Sequence, residues 1–212
     1  MLNNKGVLLI ISGFSGAGKG TIINGLINKY RDRYTLSISA TTRNPREGEI
    51  DGISYFFKTQ DEFEQMIKND ELIEYANYVD NYYGTPKKYV QDSLDQGKNV
   101  ILEIEIQGAL QVKEMYPDAV SIFVMPPNAQ ILIKRLLERG TEDLKTIKKR
   151  MTRAQKEGLR AKYYDYLIIN DDLQNSIDAV DQIMQCEHMK CKRNFALIDE
   201  INKDVFELTR GD

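Results

Sequence analysis

The feature that most constrains this chain is a glycine-rich loop between a strand pattern and a helix pattern. Residues 7–11 form a continuous apolar run, which is typical of a strand buried on both faces of a parallel sheet. The segment Gly13-Phe-Ser-Gly-Ala-Gly-Lys19 follows with the spacing G-x-x-x-x-G-K, and Thr21 is predicted to open a helix. Strand, loop and helix in this order predict a phosphate-binding loop (P-loop), and a glycine-rich turn without a ligand is the alternative.

The loop has the residue types that bind a phosphate. Glycines let backbone N–H groups curl round an anion, the start of a helix favours negative charge, and Lys19 adds a full positive charge. One position departs from the usual pattern, because Gly20 follows the lysine and the hydroxyl comes one residue later, at Thr21. The predicted ATP-binding residues of this loop are Gly13, Phe14, Ser15, Gly16, Ala17, Gly18, Lys19, Gly20 and Thr21.

The rest of the chain predicts an α/β fold with a three-layer P-loop core around a parallel sheet. Further strands are expected at residues 100–104, 120–124 and 166–169, alternating with helices at 107–114, 129–138, 146–160 and 173–187. The middle of the chain predicts a small, mostly antiparallel β insert, with strands near 53–57 and 72–79 and a helix near 60–68. The expected division is a core at 1–37 and 96–190, the insert at 38–95, a short helical lid at about 138–152 and an extension at 191–212.

Composition excludes several classes of protein. Lysine and arginine total 29 against 32 acidic residues, so a net charge of −3 gives no overall basic surface for DNA or RNA. The five-residue run at 7–11 is the longest apolar run and is far too short to span a bilayer, so no membrane partner is expected. Two cysteines predict a reduced, cytoplasmic chain without disulfides, and a metal site formed by Cys186, His188 and Cys191 is disfavoured. His188 is the only histidine, which argues against a Ser-His-Asp hydrolase.

Arg43 and Arg46, in a loop after a short apolar segment, suggest a second phosphate site, although this segment taken alone favours ordinary loop arginines. Glu103 and Glu105 at the end of a predicted strand are candidates to hold Mg²⁺ through water, with a solvated strand end as the alternative. Residues 134–160 carry ten basic and four acidic residues and predict a mobile basic lid, with a solvated helix face as the alternative. Two phosphate sites suggest phosphoryl transfer between two phosphorylated substrates, and a phosphate acceptor needs no general base.

Taken together, these motifs closely resemble those of the guanylate kinase family. The matching segments run in order from about residue 7 to about residue 187. They are Gly13–Thr21, Ser39–Arg46, Gly48-Glu, Gly52–Phe57, Glu74-Tyr-Ala, Asn81–Thr85, Leu102–Gly108, Lys134-Arg-Leu, Arg139-Gly-Thr and Ile169–Leu173. The resemblance implies transfer of the γ-phosphoryl group of ATP to GMP with Mg²⁺, by a monomer or a homodimer.

The resemblance also assigns residues to each substrate. For ATP it implies the P-loop and Asn170. For GMP it implies a phosphate clamp formed by Arg43, Arg46, Tyr55 and Tyr83. It implies that the guanine is read by Ser39, Glu74 and Thr85, and that two carboxylates lie at the acceptor side, Glu103 and Glu105. The implied catalytic cations are Lys19, Arg43, Arg135, Arg139 and Arg150, and the candidate metal contacts are Thr21, Glu103 and Glu105.

Two alternatives stay open at this stage. One is a guanylate-kinase-like interaction module, against which the intact Lys19 and lid arginines argue; the other is a related kinase for a different phosphorylated acceptor. Glu105 stands where the family usually has aspartate, and the segment from about His188 to Asp212 has no assigned role, although its apolar residues could dock on a second subunit.

Overall fold

The computed structural model describes residues 5–78, 80–138 and 144–210. The elements in chain order are β1 (Leu8–Gly13), α1 (Lys19–Lys29), β2 (Tyr34–Leu36), β3 (Ala40–Thr41), β4 (Phe56–Phe57), α2 (Gln60–Lys68), β5 (Leu72–Tyr78), β6 (Asn81–Pro86), α3 (Lys87–Asp95), β7 (Asn99–Glu103), α4 (Ile106–Met115), β8 (Val120–Met125), α5 (Ala129–Glu138), α6 (Leu144–Gly158), β9 (Tyr166–Ile169), α7 (Leu173–His188) and α8 (Phe195–Thr209).

The predicted parallel sheet is confirmed, and the P-loop strand is at its centre. The described strands pair in the order β2-β7-β1-β8-β9, all in parallel. Side chains alternate between the faces of a strand, so Leu9 and Ile11 pack on one side with α1 and α7, whereas Leu8 and Ile10 pack on the other with α3 and α4. Helices on both faces make the three layers, and the carboxyl ends of the strands form the edge where the P-loop lies.

The second sheet is mostly antiparallel, as predicted for the insert. Its strands follow the order β4-β3-β6-β5; β3 is antiparallel to β6 and β6 to β5, whereas β3 and β4 are parallel. Thr59 and Glu62 form a capping box that starts α2, with the Thr59 hydroxyl 3.2 Å from the Glu62 amide. The helix buries Phe63, whose ring stacks on Tyr82 at 5.2 Å between centroids, and this contact joins α2 to the sheet.

Some element boundaries differ from the sequence prediction for local reasons. Helix α1 begins at Lys19 rather than Thr21, because the Gly18 carbonyl already accepts from the amide of Ile22 at 3.0 Å. The strand predicted over 53–57 is reduced to β4, since the chain turns at Gly52 and the Gly52 amide donates to the Tyr55 carbonyl at 2.8 Å. Elements β2, β3, β6 and α3 had no specific prediction.

The segment after α7 is a turn followed by an exposed helix. Helix α7 ends at His188, and Cys191 opens a separate short 3₁₀ turn, so the two cysteines do not share one helix; both are exposed thiols. No residue of α8 is buried. Among the described residues, no helix is long and apolar enough to cross a membrane, and no group of three histidine, cysteine or acidic side chains is placed to hold a metal ion.

Candidate active site

The P-loop connects β1 to α1 through backbone that only glycine adopts easily. Gly18 has φ = +91°, and a Cβ at Gly13 would lie 2.1 Å from the carbonyl oxygen of Val124. Lys19 folds back over the loop, and its Nζ donates to the carbonyls of Gly13 at 2.9 Å and Phe14 at 3.2 Å. The ammonium group is therefore held above the loop, where an incoming phosphate can replace carbonyl contacts.

Two of the three predicted lid arginines contact the P-loop region. Arg135 on α5 donates to the Asn170 carbonyl at 2.9 Å and to the Ala17 carbonyl at 3.4 Å. Arg150 on α6 donates to the Ser15 hydroxyl at 2.8 Å. Both cations thus lie beside the loop although they are more than a hundred residues from it in sequence. Arg139 and the neighbouring residues 140–143 of the predicted lid lie outside the described residues.

Asn170 lies against the same loop. Its side-chain amide donates to the Ala17 carbonyl at 2.7 Å and accepts from the Ser176 hydroxyl at 3.1 Å, and the residue is buried. A cavity of about 370 Å³ lies here, lined by Gly16, Gly18, Thr21, Arg135, Glu138, Asn170, Asp171 and Leu173. The structure therefore brings Asn170 and Thr21 together in one cavity beside the P-loop.

A second, larger cleft of about 750 Å³ also borders the P-loop. Its lining residues come from the P-loop, the insert, the end of β7 and α6: Ser12, Gly13, Ser15, Lys19, Tyr55, Glu103, Ile104, Glu105, Ile106, Arg150, Arg153 and Glu157. Lys19 and Arg150 thus share one cavity with a residue of the insert. The candidate metal contacts do not share one cavity. Glu103 and Glu105 line this cleft, whereas Thr21 lines the cavity beside Asn170.

The arginine loop of the insert is organised by a carboxylate that sequence reasoning gave no role. Arg43 forms a two-pronged ion pair with Glu49, at 2.9 and 2.8 Å, and the backbone amide of Arg46 donates to the same carboxylate at 2.7 Å. The Arg43 guanidinium holds the pKa of Glu49 below its usual value. An acidic residue six positions after Arg43 was the available signal for this pair.

Tyr55 and Tyr83 complete that end of the insert. Their rings meet edge to face at 6.1 Å between centroids, and the Arg43 guanidinium lies 5.4 Å from the Tyr55 ring. Three of the four predicted phosphate-clamp side chains are therefore neighbours. Arg46 contributes its backbone amide to this loop and is exposed.

The predicted guanine-reading residues meet between the two sheets. Glu74 Oε1 accepts from the Thr85 hydroxyl at 2.7 Å. Burial raises the pKa of the Glu74 carboxyl, and the bond from Thr85 opposes part of that effect. A Cβ at Gly108 would lie 3.1 Å from Glu74 Oε2, so the missing side chain at Gly108 gives this oxygen room. Ser39 lies beside Thr85 and Tyr55 in a small adjoining cavity of about 130 Å³.

Glu105 makes a contact that sequence analysis missed. It is the N-cap residue of α4, and its carboxylate forms an ion pair with Arg153 of α6. Arg153 was counted only as part of the basic segment, because nothing in the local sequence connects residues 48 positions apart. Glu103 is exposed at the end of β7.

Comparison with known proteins decides the family. The family model described as guanylate kinase matches residues 5–187. The chain belongs to the guanylate kinase family. It is 46% identical to the guanylate kinase of Latilactobacillus sakei over 207 aligned residues, and the aligned region covers 97% of this chain and 100% of that protein. It is 48% identical over 193 residues to the guanylate kinase of Oceanobacillus iheyensis, spanning 91% and 93% of the two chains.

A solved structure of a guanylate kinase, from Anaplasma phagocytophilum, has the same fold. It superposes with a TM-score of 0.73 at 33% identity, covering 93% of this chain and 94% of that one. The family inferred from the motifs is therefore confirmed at the level of sequence and of fold.

Proposed function

We propose that this chain transfers the γ-phosphoryl group of ATP to GMP, giving ADP and GDP. The observation that carries the proposal is the single cleft that Lys19 and Arg150 share with Tyr55 of the insert. Two donor-side cations and a side chain of the proposed GMP phosphate clamp thus border one space, which suits direct transfer between two bound phosphates.

On the donor side, the P-loop amides and Lys19 bind the triphosphate. Arg135 and Arg150 are already directed at this loop by their bonds to Ala17, Asn170 and Ser15, so little reordering is needed to stabilise charge on the transferred group. Arg139 has the same proposed role. Asn170 lies on the adenine side, and the Thr21 hydroxyl, in the cavity beside Asn170, suits a donor phosphate.

On the acceptor side, Arg43 and Arg46 bind the GMP phosphate together with Tyr55 and Tyr83. Arg43 is paired with Glu49, so the phosphate would compete with that carboxylate for the guanidinium. Glu74, Thr85 and Ser39 read the base.

Charge stabilisation and alignment provide the chemistry in this arrangement. The attacking oxygen of GMP is already anionic, so no side chain has to remove a proton, which agrees with a site that contains no histidine. Mg²⁺, when bound, neutralises charge on the phosphates. Carboxylate oxygens are ligands that suit it, and the exposed Glu103 would hold it through water, since Glu105 is paired with Arg153.

The decisive experiment is a coupled assay that supplies ATP and Mg²⁺ with GMP, AMP, UMP or CMP in turn. We expect turnover with GMP that exceeds turnover with the other three acceptors by at least about a hundredfold, as for a site built on hydrogen bonds to its substrate. Lys19→Ala should retain less than about a tenth of the wild-type kcat while keeping the fold, because it removes charge where transition-state charge collects. Equal rates with AMP and GMP would overturn the assigned acceptor.

The remaining expectations are also proposals. They are the division into core, insert, lid and extension at the stated boundaries, a monomeric or homodimeric state, a cytoplasmic location, and the absence of nucleic-acid or membrane partners.

A further inference from the structure

Arg153 lies between two carboxylates inside the cleft that the proposed reaction uses. One terminal nitrogen, Nη2, pairs with Glu105, and its Nε donates to Glu157 Oε1 at 2.8 Å. All three side chains line the 750 Å³ cleft together with Lys19. This triad therefore faces the substrates, although neither the motifs nor the family comparison gives Arg153 a role.

Helix α6 is held to both sides of the cleft by residues one turn apart. Arg150 reaches the P-loop through Ser15, and Arg153 reaches the start of α4 through Glu105. Residues three apart on a helix lie on the same face, so both arginines point from α6 into one space. The first contact is on the donor side, and the second is at the end of β7, on the acceptor side.

The two carboxylates depend on Arg153 in different ways. Glu157 is mostly buried, with 17% of its side chain exposed, and its Oε2 has no hydrogen-bond partner among the described residues. Such a charge is costly unless a cation lies close to it. Glu105 is 69% exposed, so without Arg153 its side chain would sample many rotamers. Loss of Arg153 would then place two uncompensated negative charges where phosphates must enter.

We propose that Arg153 is a positioning residue for the acceptor nucleotide, which holds the Glu105 carboxylate at the acceptor side of the cleft and offsets the charge of Glu157. The proposal rests on the function proposed above and on the acceptor-side role of Glu105 within it. Arg153 differs from Arg150 because both its Nη2 and its Nε are paired with carboxylates, those of Glu105 and Glu157. Its guanidinium therefore orients two acidic side chains.

The test is steady-state kinetics on the full chain with Arg153→Gln. We expect KM for GMP to rise about fivefold, the size expected for a half-exposed charge pair, whereas kcat and KM for ATP stay within about twofold. Arg153→Lys should recover part of the loss, since it keeps the charge but cannot bind two carboxylates at fixed angles. Lys156→Gln, which removes a charge from the same helix one turn further on, is the matched control and should leave KM for GMP unchanged.

Coupling to Glu105 separates positioning from a general charge effect. Glu105→Gln should raise KM for GMP, and adding Arg153→Gln to that variant should raise KM by less than Arg153→Gln does in the wild type, because Arg153 acts in part through the Glu105 carboxylate. An unchanged KM for GMP in Arg153→Gln, or a double variant equal to the product of the two single effects, would overturn the proposal. If Arg153→Gln does not fold, the same cycle is run with Arg153→Lys. The proposed function is tested separately: if the wild type turns over GMP and Lys19→Ala does not, that function stands whether or not Arg153 has the role proposed here.

Discussion

At the scale of single residues, local packing fixes Glu74, the side chain that we propose reads the base. One of its carboxylate oxygens is oriented by Thr85, and the other is given room by the missing side chain at Gly108. Guanine presents two adjacent donors, N1–H and the N2 amino group, and a carboxylate accepts from both, whereas adenine has an acceptor at N1. We therefore propose that base choice depends on this one side chain, held in place by two neighbours.

The first prediction follows from that arrangement. Glu74→Gln keeps the shape of the side chain but exchanges one acceptor for a donor, so kcat/KM for GMP should fall at least about tenfold, while the rate with AMP changes much less. The measurement is kcat/KM for both acceptors in both proteins. Glu71→Gln, at the exposed position just before the same strand, is the control; an unchanged GMP:AMP ratio in Glu74→Gln would show that Glu74 does not read the base.

The same pair of proteins should differ in how kcat/KM for GMP depends on pH. Burial raises the pKa of Glu74, so this carboxylate takes up a proton at a higher pH than an exposed glutamate does. As pH falls through that raised pKa, wild type should lose kcat/KM for GMP and the glutamine variant should not lose it by this route. The ratio of kcat/KM for GMP in the wild type to that in the variant should therefore decrease as the pH is lowered. Titration of the GMP phosphate cancels in this ratio, because it affects both proteins equally.

At the scale of elements, the P-loop depends on a backbone conformation that a side chain would disturb. Gly18 has a left-handed φ of +91°, and a Cβ there would lie 2.4 Å from the Asn170 side-chain nitrogen. Gly18→Ala should lower the free energy of unfolding by about 1–2 kcal/mol from the backbone alone and raise KM for ATP, because Asn170 must move. In Gly20→Ala a Cβ would meet nothing within 4 Å, so its helix should be as stable or more stable. Equal unfolding free energies in denaturant titrations of the two variants would contradict this account.

The same scale explains which parts of the fold the sequence predicts. The strand at β1 and the P-loop are recognisable because a buried apolar run and a glycine spacing are local signals. Strand β2 has only three residues, and its pairing with β7 joins segments more than sixty positions apart, so no local pattern marks it. The site divides in the same way: Lys19 lies in a motif, whereas the partnership of Arg153 with Glu105 exists only once α6 packs across the cleft.

At the scale of the whole molecule, the proposed phosphate-binding cations are spread over parts of the chain that border one cleft. Lys19 belongs to the core, Arg43 and Arg46 to the insert, and Arg150 to α6. The two nucleotides bring several negative charges into this cleft, and each charge attracts the cations of the facing part. Binding of both should therefore draw the insert and α6 toward the core, which excludes water from the transferred phosphoryl group.

Small-angle scattering tests this closure directly. With GMP and a non-hydrolysable ATP analogue together, the radius of gyration should fall toward roughly 17 Å, the value for a compact globule of 212 residues. The ATP analogue alone should give a smaller decrease, because the arginines of the insert then have no phosphate to bind. Arg43→Gln should shift the half-maximal GMP concentration for compaction upward, since this side chain connects the GMP phosphate to the insert. A radius that is the same with and without both nucleotides would mean that the insert and α6 already lie at their catalytic distance, so that binding fills the cleft without closing it.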